Sequence, residues 1–273
     1  MSRSSPYLDP SVRVIDLEQP RRQGMPVIGV HQPGYAYFLH RRHEDSYRPE
    51  RQGPRSGSSG VIVAMEHSGT HIDAICHQAE DLRLYGGVPA RDAATSTGYL
   101  HHGVEEIAPI VARGVLLDVA AHRGVDEVPA GDAISADELR VCAERAGVAV
   151  GAGDVVLVRV GNARNWDDPD RYLAAAGVAG DASAWLAGLG VLAVGADNMA
   201  WDVIGRHDDA YGCELPGHLV LLARHGIYII ENLALDELAA AGRSVFTFVC
   251  APLKLVGATG SPVRPLALLP AGA

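Results

Sequence analysis

Three histidines and one aspartate fall within eleven residues of this chain, in the run Glu66-His67-Ser68-Gly69-Thr70-His71-Ile72-Asp73-Ala74-Ile75-Cys76-His77. Imidazole nitrogens and carboxylate oxygens are the donors that take zinc, manganese or iron. His71 and Asp73 are two apart, so in extended chain they share a face. Ser68-Gly69-Thr70 reads as a turn that folds His67 back beside them. A helix would also bring His67 to His71, but Gly69 and Thr70 make it the poorer reading. His67, His71 and Asp73 then form a two-histidine, one-carboxylate site with open positions for water. His77 is placed as a fourth ligand or as a proton-transfer group just outside. A lone His-x-Asp pair is usually only a hydrogen-bonded turn. Crowded neutral imidazoles beside a carboxylate are costly to bury unless paired or metal-bound, which favours the metal.

The elements that must position this cluster are legible from apolar runs. Val61-Ile62-Val63-Ala64-Met65 reads as a buried strand, so that the cluster starts at a strand end. Val12 to Leu17, Val115 to Ala120, Val155 to Val160, Val191 to Val194 and Ile227 to Ile230 read as further strands. Phe246 to Leu253 and Val263 to Leu269 close the sheet. Ser135-Ala136-Asp137-Glu138 reads as a capping box opening a helix that stops at Gly147. Pro216-Gly217-His218 opens another helix, Leu219 to Arg224, stopped by Gly226. Strands and helices alternate after residue 100, which indicates an α/β fold, and no linker or repeat divides residues 1–273, so one domain is expected. Tyr35, Tyr37, Phe38 and His40 read as core or subunit contact, with a substrate wall as the alternative. Residues 41–60 read as a mobile loop or hairpin tip.

The remaining chemistry-bearing residues are weaker signals. Cys76 reads as a small buried filler rather than a nucleophile. His101 and His102 read as loop or cap groups, and His225 as a partner of a helix dipole. Arg164, Asn165, Trp166, Asp197 and Asn198 follow strand ends and are open to either a pocket or a turn role. Glu231 follows four apolar strand residues, an edge of the same kind as the His67 cluster.

Composition narrows the class. The chain has 273 residues, 48% hydrophobic and 21% charged, as expected of a globular protein with a sizeable core. A formal charge of -10 argues against nucleic acid and anionic membrane as general partners. No apolar run reaches the roughly 20 residues of a membrane span. Met1 to Pro6 is not followed by an apolar signal core, and Cys76, Cys142, Cys213 and Cys250 are scattered, so a reducing cytoplasm is expected.

The run His67-Ser68-Gly69-Thr70-His71-Ile72-Asp73 followed by His77 resembles the His-x-Gly-Thr-His-x-Asp-x-Pro-x-His signature of the cyclase family, which includes bacterial kynurenine formamidase and isatin hydrolase. Asp16-Leu17, Gly24-Met25-Pro26, the segment before Asp118 and Ser261-Pro262-Val263-Arg264 resemble the same family, so the likeness spans about Val14 to Leu268. One position departs: Ile75 stands where the family has proline, which bears on the local turn and the substrate wall. The resemblance implies a three-layer β/β/α cyclase-like (swivelling) fold, a mixed sheet with flanking helices, and a homodimer or homotetramer. It also implies that His218 and Glu231 complete a second metal position shared through Asp73, and that His77 transfers a proton.

The expected activity is hydrolysis of a small amide, lactam or cyclic imide by water activated on one or two divalent ions, zinc or manganese. A lactonase or a biosynthetic cyclase is the alternative within the family. A non-haem iron oxygenase built on His71, Asp73 and His218 is a different class, but such enzymes are usually antiparallel jelly rolls. A non-catalytic metal-binding relative is the third reading.

Overall fold

The structure, a computed structural model, describes residues 11–270; the N-terminal run Met1 to Pro6 lies outside them. Nine strands form one mixed sheet. In chain order they are β1 (Arg13–Asp16), β2 (His71–Asp73), β3 (Ile110–Asp118), β4 (Val155–Arg159), β5 (Ala193–Ala196), β6 (Tyr228–Glu231), β7 (Val245–Cys250), β8 (Gly260–Pro262) and β9 (Leu266–Leu269). Across the sheet the order is β1-β9-β7-β3-β4-β5-β6-β2-β8. The middle pairs, β3 with β4, β4 with β5 and β5 with β6, are parallel, and every other pair is antiparallel.

Alternation along the strands divides the core in two. Val156 and Val158 of β4 enter a cluster with Leu139, Leu186 and Leu221 from the helices. Val155 and Leu157 enter a second cluster made almost wholly of strand and loop side chains. That second cluster joins Ile15 of β1 to Ile72 of β2, strands from opposite ends of the sheet order. The sheet therefore curls back on itself: Ala234 N, just after β6, donates to Leu17 O at 2.9 Å, and Gln19 N donates to Thr70 Oγ1 at 2.9 Å. Helices on one face and curled strands on the other give the three β/β/α layers.

Three helical segments matter for the site and the face that backs it: α1 (Ala136–Arg145), α2 (Gly180–Gly188) and a one-turn α3 (Pro216–His218) that continues as a π-helix, Leu219–Arg224. Ser135 Oγ accepts from Glu138 N at 3.3 Å and caps α1 as expected. The Glu138 side chain does not reach back, because it is bound by the Arg123 guanidinium at 2.6 and 2.9 Å.

The strand expected at the start of the His67 cluster fails too. The Val61–Met65 run is not a buried strand at the site. Ser59–Ala64 pairs with Tyr35–Arg41 in a hairpin outside the main sheet, with Tyr37 opposite Ile62 and Phe38 opposite Val61. Phe38 is 53% exposed and Ile62 65% exposed, so neither is core. The hairpin's tip carries two short helical turns, His43–Ser46 and Pro49–Gln52. No helix among the described residues is long and apolar enough to cross a membrane.

Candidate metal centre

Strand β2 ends the chain segment that carries most of the site. Its three residues are buried between β6 and β8, with His71 opposite Glu231 and opposite Pro262. The period of two puts His71 and Asp73 on one face, and the β6 pairing delivers Glu231 beside them. Gly69 turns the chain ahead of the strand in a left-handed conformation, φ +66°. A Cβ there would lie 2.7 Å from the Arg21 guanidinium, which is bound by the carbonyls of Ser68 and Thr70. Gly69→Ala should therefore cost about 1–3 kcal/mol of strain, seen as a lower Tm of the metal-free protein.

The turn brings His67 Nδ1 to 2.8 Å from Asp73 Oδ1. His71 Nε2 is 3.4 Å from Asp73 Oδ1 and 3.4 Å from Glu231 Oε2. His218, at the end of α3, places Nε2 3.7 Å from Asp73 Oδ2 and 3.3 Å from Glu231 Oε1. All five residues are at least nine-tenths buried. Asp73 stands at the centre, one oxygen toward His67 and His71 and the other toward His218. Donor atoms fall into two groups within 4.8 Å, His67 with His71 and Asp73, and Asp73 with His77 and His218.

The donor set fits a divalent cation on three counts. Bonds of about 2.0–2.1 Å put neighbouring ligand atoms about 2.9 Å apart at right angles and about 3.4 Å apart in a tetrahedron, and four of the five contacts, 2.8 to 3.4 Å, fall close to that range. Asp73 Oδ2 and Glu231 Oε1 are buried without a hydrogen-bond partner, a cost that native sites offset with an ion or water. The third count is the electrostatics. Burial and the Asp73 charge push the Glu231 carboxyl up. Burial alone would raise Asp73 as well, but His77, His67 and His71 together hold it well below its usual range. Burial works against a charged His218 too, yet the Asp202 hydrogen bond and the nearby Glu231 carboxylate raise it well above its usual range. Carboxylates that crowd each other and draw positive charge onto their neighbours suit a cation.

His77 follows β2 in a 3-10 turn, Ile75–His77. Ile75, in place of the family proline, sits within that turn and leaves it intact. The His77 ring lies 4.0 Å from that of His67 and 6.0 Å from that of His218. Burial pushes its pKa down to about 3, with the Asp73 charge opposing, so the ring is neutral near pH 7. Cys76 is a packed filler, as its neighbours imply: burial pushes its thiol up to about 12.

A cavity of about 170 Å³ opens onto the cluster, walled by the metal-type side chains on one side and by Ile28, Val30, Met199 and Leu215 on another. Trp166, Asp197 and Asn198 do not line it. Trp166 packs edge-on against Tyr172 and donates to Pro20 O at 2.9 Å. Asp197 accepts from Val160 N at 2.7 Å and Gly161 N at 2.9 Å, a structural anchor. His102 meets the Tyr85 carbonyl at 3.1 Å in a loop, as expected. Two residues at the site were not foreseen. His31 stacks on the His67 ring at 4.9 Å and lines the cavity; it has no other ligand-type residue near it in sequence. Asp202 holds His218 Nδ1 at 2.8 Å, and its only signal is a carboxylate in the segment after β5.

The family model named Cyclase matches residues 15–203, more than half of the chain. The chain belongs to the Cyclase family. It is 31% identical over 220 residues to kynurenine formamidase of Paracidovorax citrulli (strain AAC00-1), covering 80% of this chain and 84% of that one. The crystal structure of a novel cyclase superposes with a TM-score of 0.82 at 26% identity, covering 93% of this chain and 88% of that chain. Isatin hydrolase A from Ralstonia solanacearum superposes with a TM-score of 0.70 at 25% identity, covering 95% and 92%. The family expected from the His67–His77 motif is the family found, and so is its fold.

Proposed function

We propose that this chain is a metal-dependent hydrolase that opens a small amide, lactam or cyclic imide. The observation that carries this reading is Asp73, a buried carboxylate with one oxygen facing His67 and His71 and the other, unpartnered, 3.7 Å from His218. His67, His71 and Asp73 would hold one zinc or manganese ion, and Asp73, His218 and Glu231 a second. When bound, such an ion supplies acidified water and polarises a carbonyl. His77, neutral and at the cavity wall, accepts the proton of the attacking water and returns it to the leaving nitrogen.

The cavity supports an uncharged, ring-sized substrate. About 170 Å³ compares with the roughly 150 Å³ of a cavity that takes benzene. Its lining carries no lysine or arginine, so no ammonium or guanidinium faces a substrate carboxylate. This favours an isatin-like lactam over N-formylkynurenine, whose amino-acid head is charged. The test is hydrolysis of both compounds with and without a chelator. The reading expects chelator-sensitive turnover, faster on isatin. Turnover undiminished after complete metal removal would overturn it.

The reading includes a homodimer or larger assembly acting on a small molecule in the cytoplasm. The hairpin supports the assembly, because a two-stranded hairpin is marginal by itself in water and this one bears Tyr37, Phe38, Leu39, Ile62 and Val63 in the open. Phe38→Glu combined with Ile62→Glu should shift the elution volume to that of a monomer. An unchanged wild-type monomer would remove the arm from any assembly role.

A further inference from the structure

We infer that Glu66 and Asp202 are positioning residues that set the occupancy of two separate cation positions, one on each side of Asp73. This rests on the metal-dependent reading above. Each of the three ligand histidines has its second ring nitrogen tied. His71 Nδ1–H donates to the Gly69 carbonyl at 2.8 Å. The other two are backed by carboxylates.

On one side, Asp202 is filled by three donors: Gly217 N to Oδ1 at 2.6 Å, and His218 N at 3.2 Å and His218 Nδ1 at 2.8 Å to Oδ2. The tautomer is thereby set, and Nε2 is left to face Asp73 and Glu231. Asp202 is itself held by a strained neighbour. Trp201 has φ +53°, a region a bulky residue occupies only when its surroundings enforce it. Its indole Nε1 donates to Ser183 Oγ at 2.9 Å, and its carbonyl accepts from Val178 N at 2.8 Å and Asn198 Nδ2 at 3.0 Å. Gly217 is required by the same packing, since a Cβ there would lie 2.5 Å from the Trp201 ring and 2.8 Å from Asp202 Oδ1.

On the other side the carboxylate acts through a hydroxyl. Thr259 N donates to Glu66 Oε1 at 3.1 Å, and the Thr259 hydroxyl gives its only proton to the same oxygen. The Thr259 oxygen can then only accept from His67 Nε2, 2.8 Å away. His67 therefore carries a proton on Nε2, and its Nδ1 faces an Asp73 oxygen 2.8 Å away. At that distance the two atoms share either a proton or a cation.

Outer partners of this kind fix ring orientation and raise ligand basicity, and losing one typically costs 10–100-fold in metal affinity. Glu66 reaches His67 alone and Asp202 reaches His218 alone, so each loss should fall on one position. The experiment is zinc titration of the metal-stripped protein against a chromophoric chelator, for wild type, Asp202→Asn and Thr259→Val. The Tm of each metal-free protein serves as the control for folding. The expected result is two zinc ions in wild type and, in each variant, one binding step weakened about 10–100-fold with the other unchanged. The weakened step should differ between the variants, and the metal-free Tm should stay near wild type. Equal weakening of both steps, or of neither, overturns the inference. A wild type that binds one zinc overturns it too while metal-dependent hydrolysis stands; a wild type that binds none overturns the reading beneath it. If Asp202→Asn does not fold, Thr259→Val decides alone.

Discussion

Asp73→Asn should abolish turnover and zinc binding together, where His218→Ala should leave one zinc bound. The difference follows from the position of Asp73 between two donor groups. Its Oδ1 serves His67 and His71, and its Oδ2 faces His218. An asparagine keeps the volume but offers one oxygen and no charge, and its amide would face a histidine or Glu231 on one side. The effect is also visible without substrate. A ligand at a thousand times its Kd stabilises the folded state by about 4 kcal/mol. Excess zinc should therefore raise the Tm of the wild type by several degrees and leave that of Asp73→Asn where it was. An Asp73→Asn protein that still took two zinc ions would separate Asp73 from the site.

His77→Ala is the second large effect, and it should be one of rate alone. A positioned acid–base group contributes about 10²–10⁴-fold, so kcat should fall by that amount with the zinc content unchanged. The ring is suited to the work because it lines the cavity beside the donor cluster without being needed to hold the ion. The contrast with a ligand role is sharp. The ring nitrogens of His77 and His218 share a 4.8 Å neighbourhood with Asp73, so a ligating His77 would take metal with it when removed. Loss of zinc in His77→Ala would place it among the ligands and return the proton transfer to another group.

How much of this was readable in the chain differs from residue to residue. The face shared by His71 and Asp73 was legible because a strand alternates strictly, and the Gly69 turn because glycine before a β-branched residue breaks a helix. Glu231 was legible as a carboxylate at the end of an apolar run, although that run does not say which strand it pairs with. The Val61–Met65 segment was misread for a physical reason. A strand apolar on both faces looks the same whether helices of its own chain cover it or nothing in its own chain does, and here it is an exposed hairpin. Thr259 lies 193 residues from Glu66, and no local pattern announces such a contact. Asp202 was hidden similarly: its role exists only because Trp201 is forced into a left-handed conformation by contacts with Ser183, Val178 and Asn198. The π-helical turn after His218 also left no trace, since its apolar residues suit an α-helix equally.

The most direct test of the central claim is a crystal structure of the protein as isolated, with anomalous data collected on both sides of the zinc and manganese edges. The account predicts a peak bounded by His67, His71 and Asp73, and a second bounded by Asp73, His218 and Glu231. Fully active crystals with neither peak would contradict it and return the five side chains to a purely structural role.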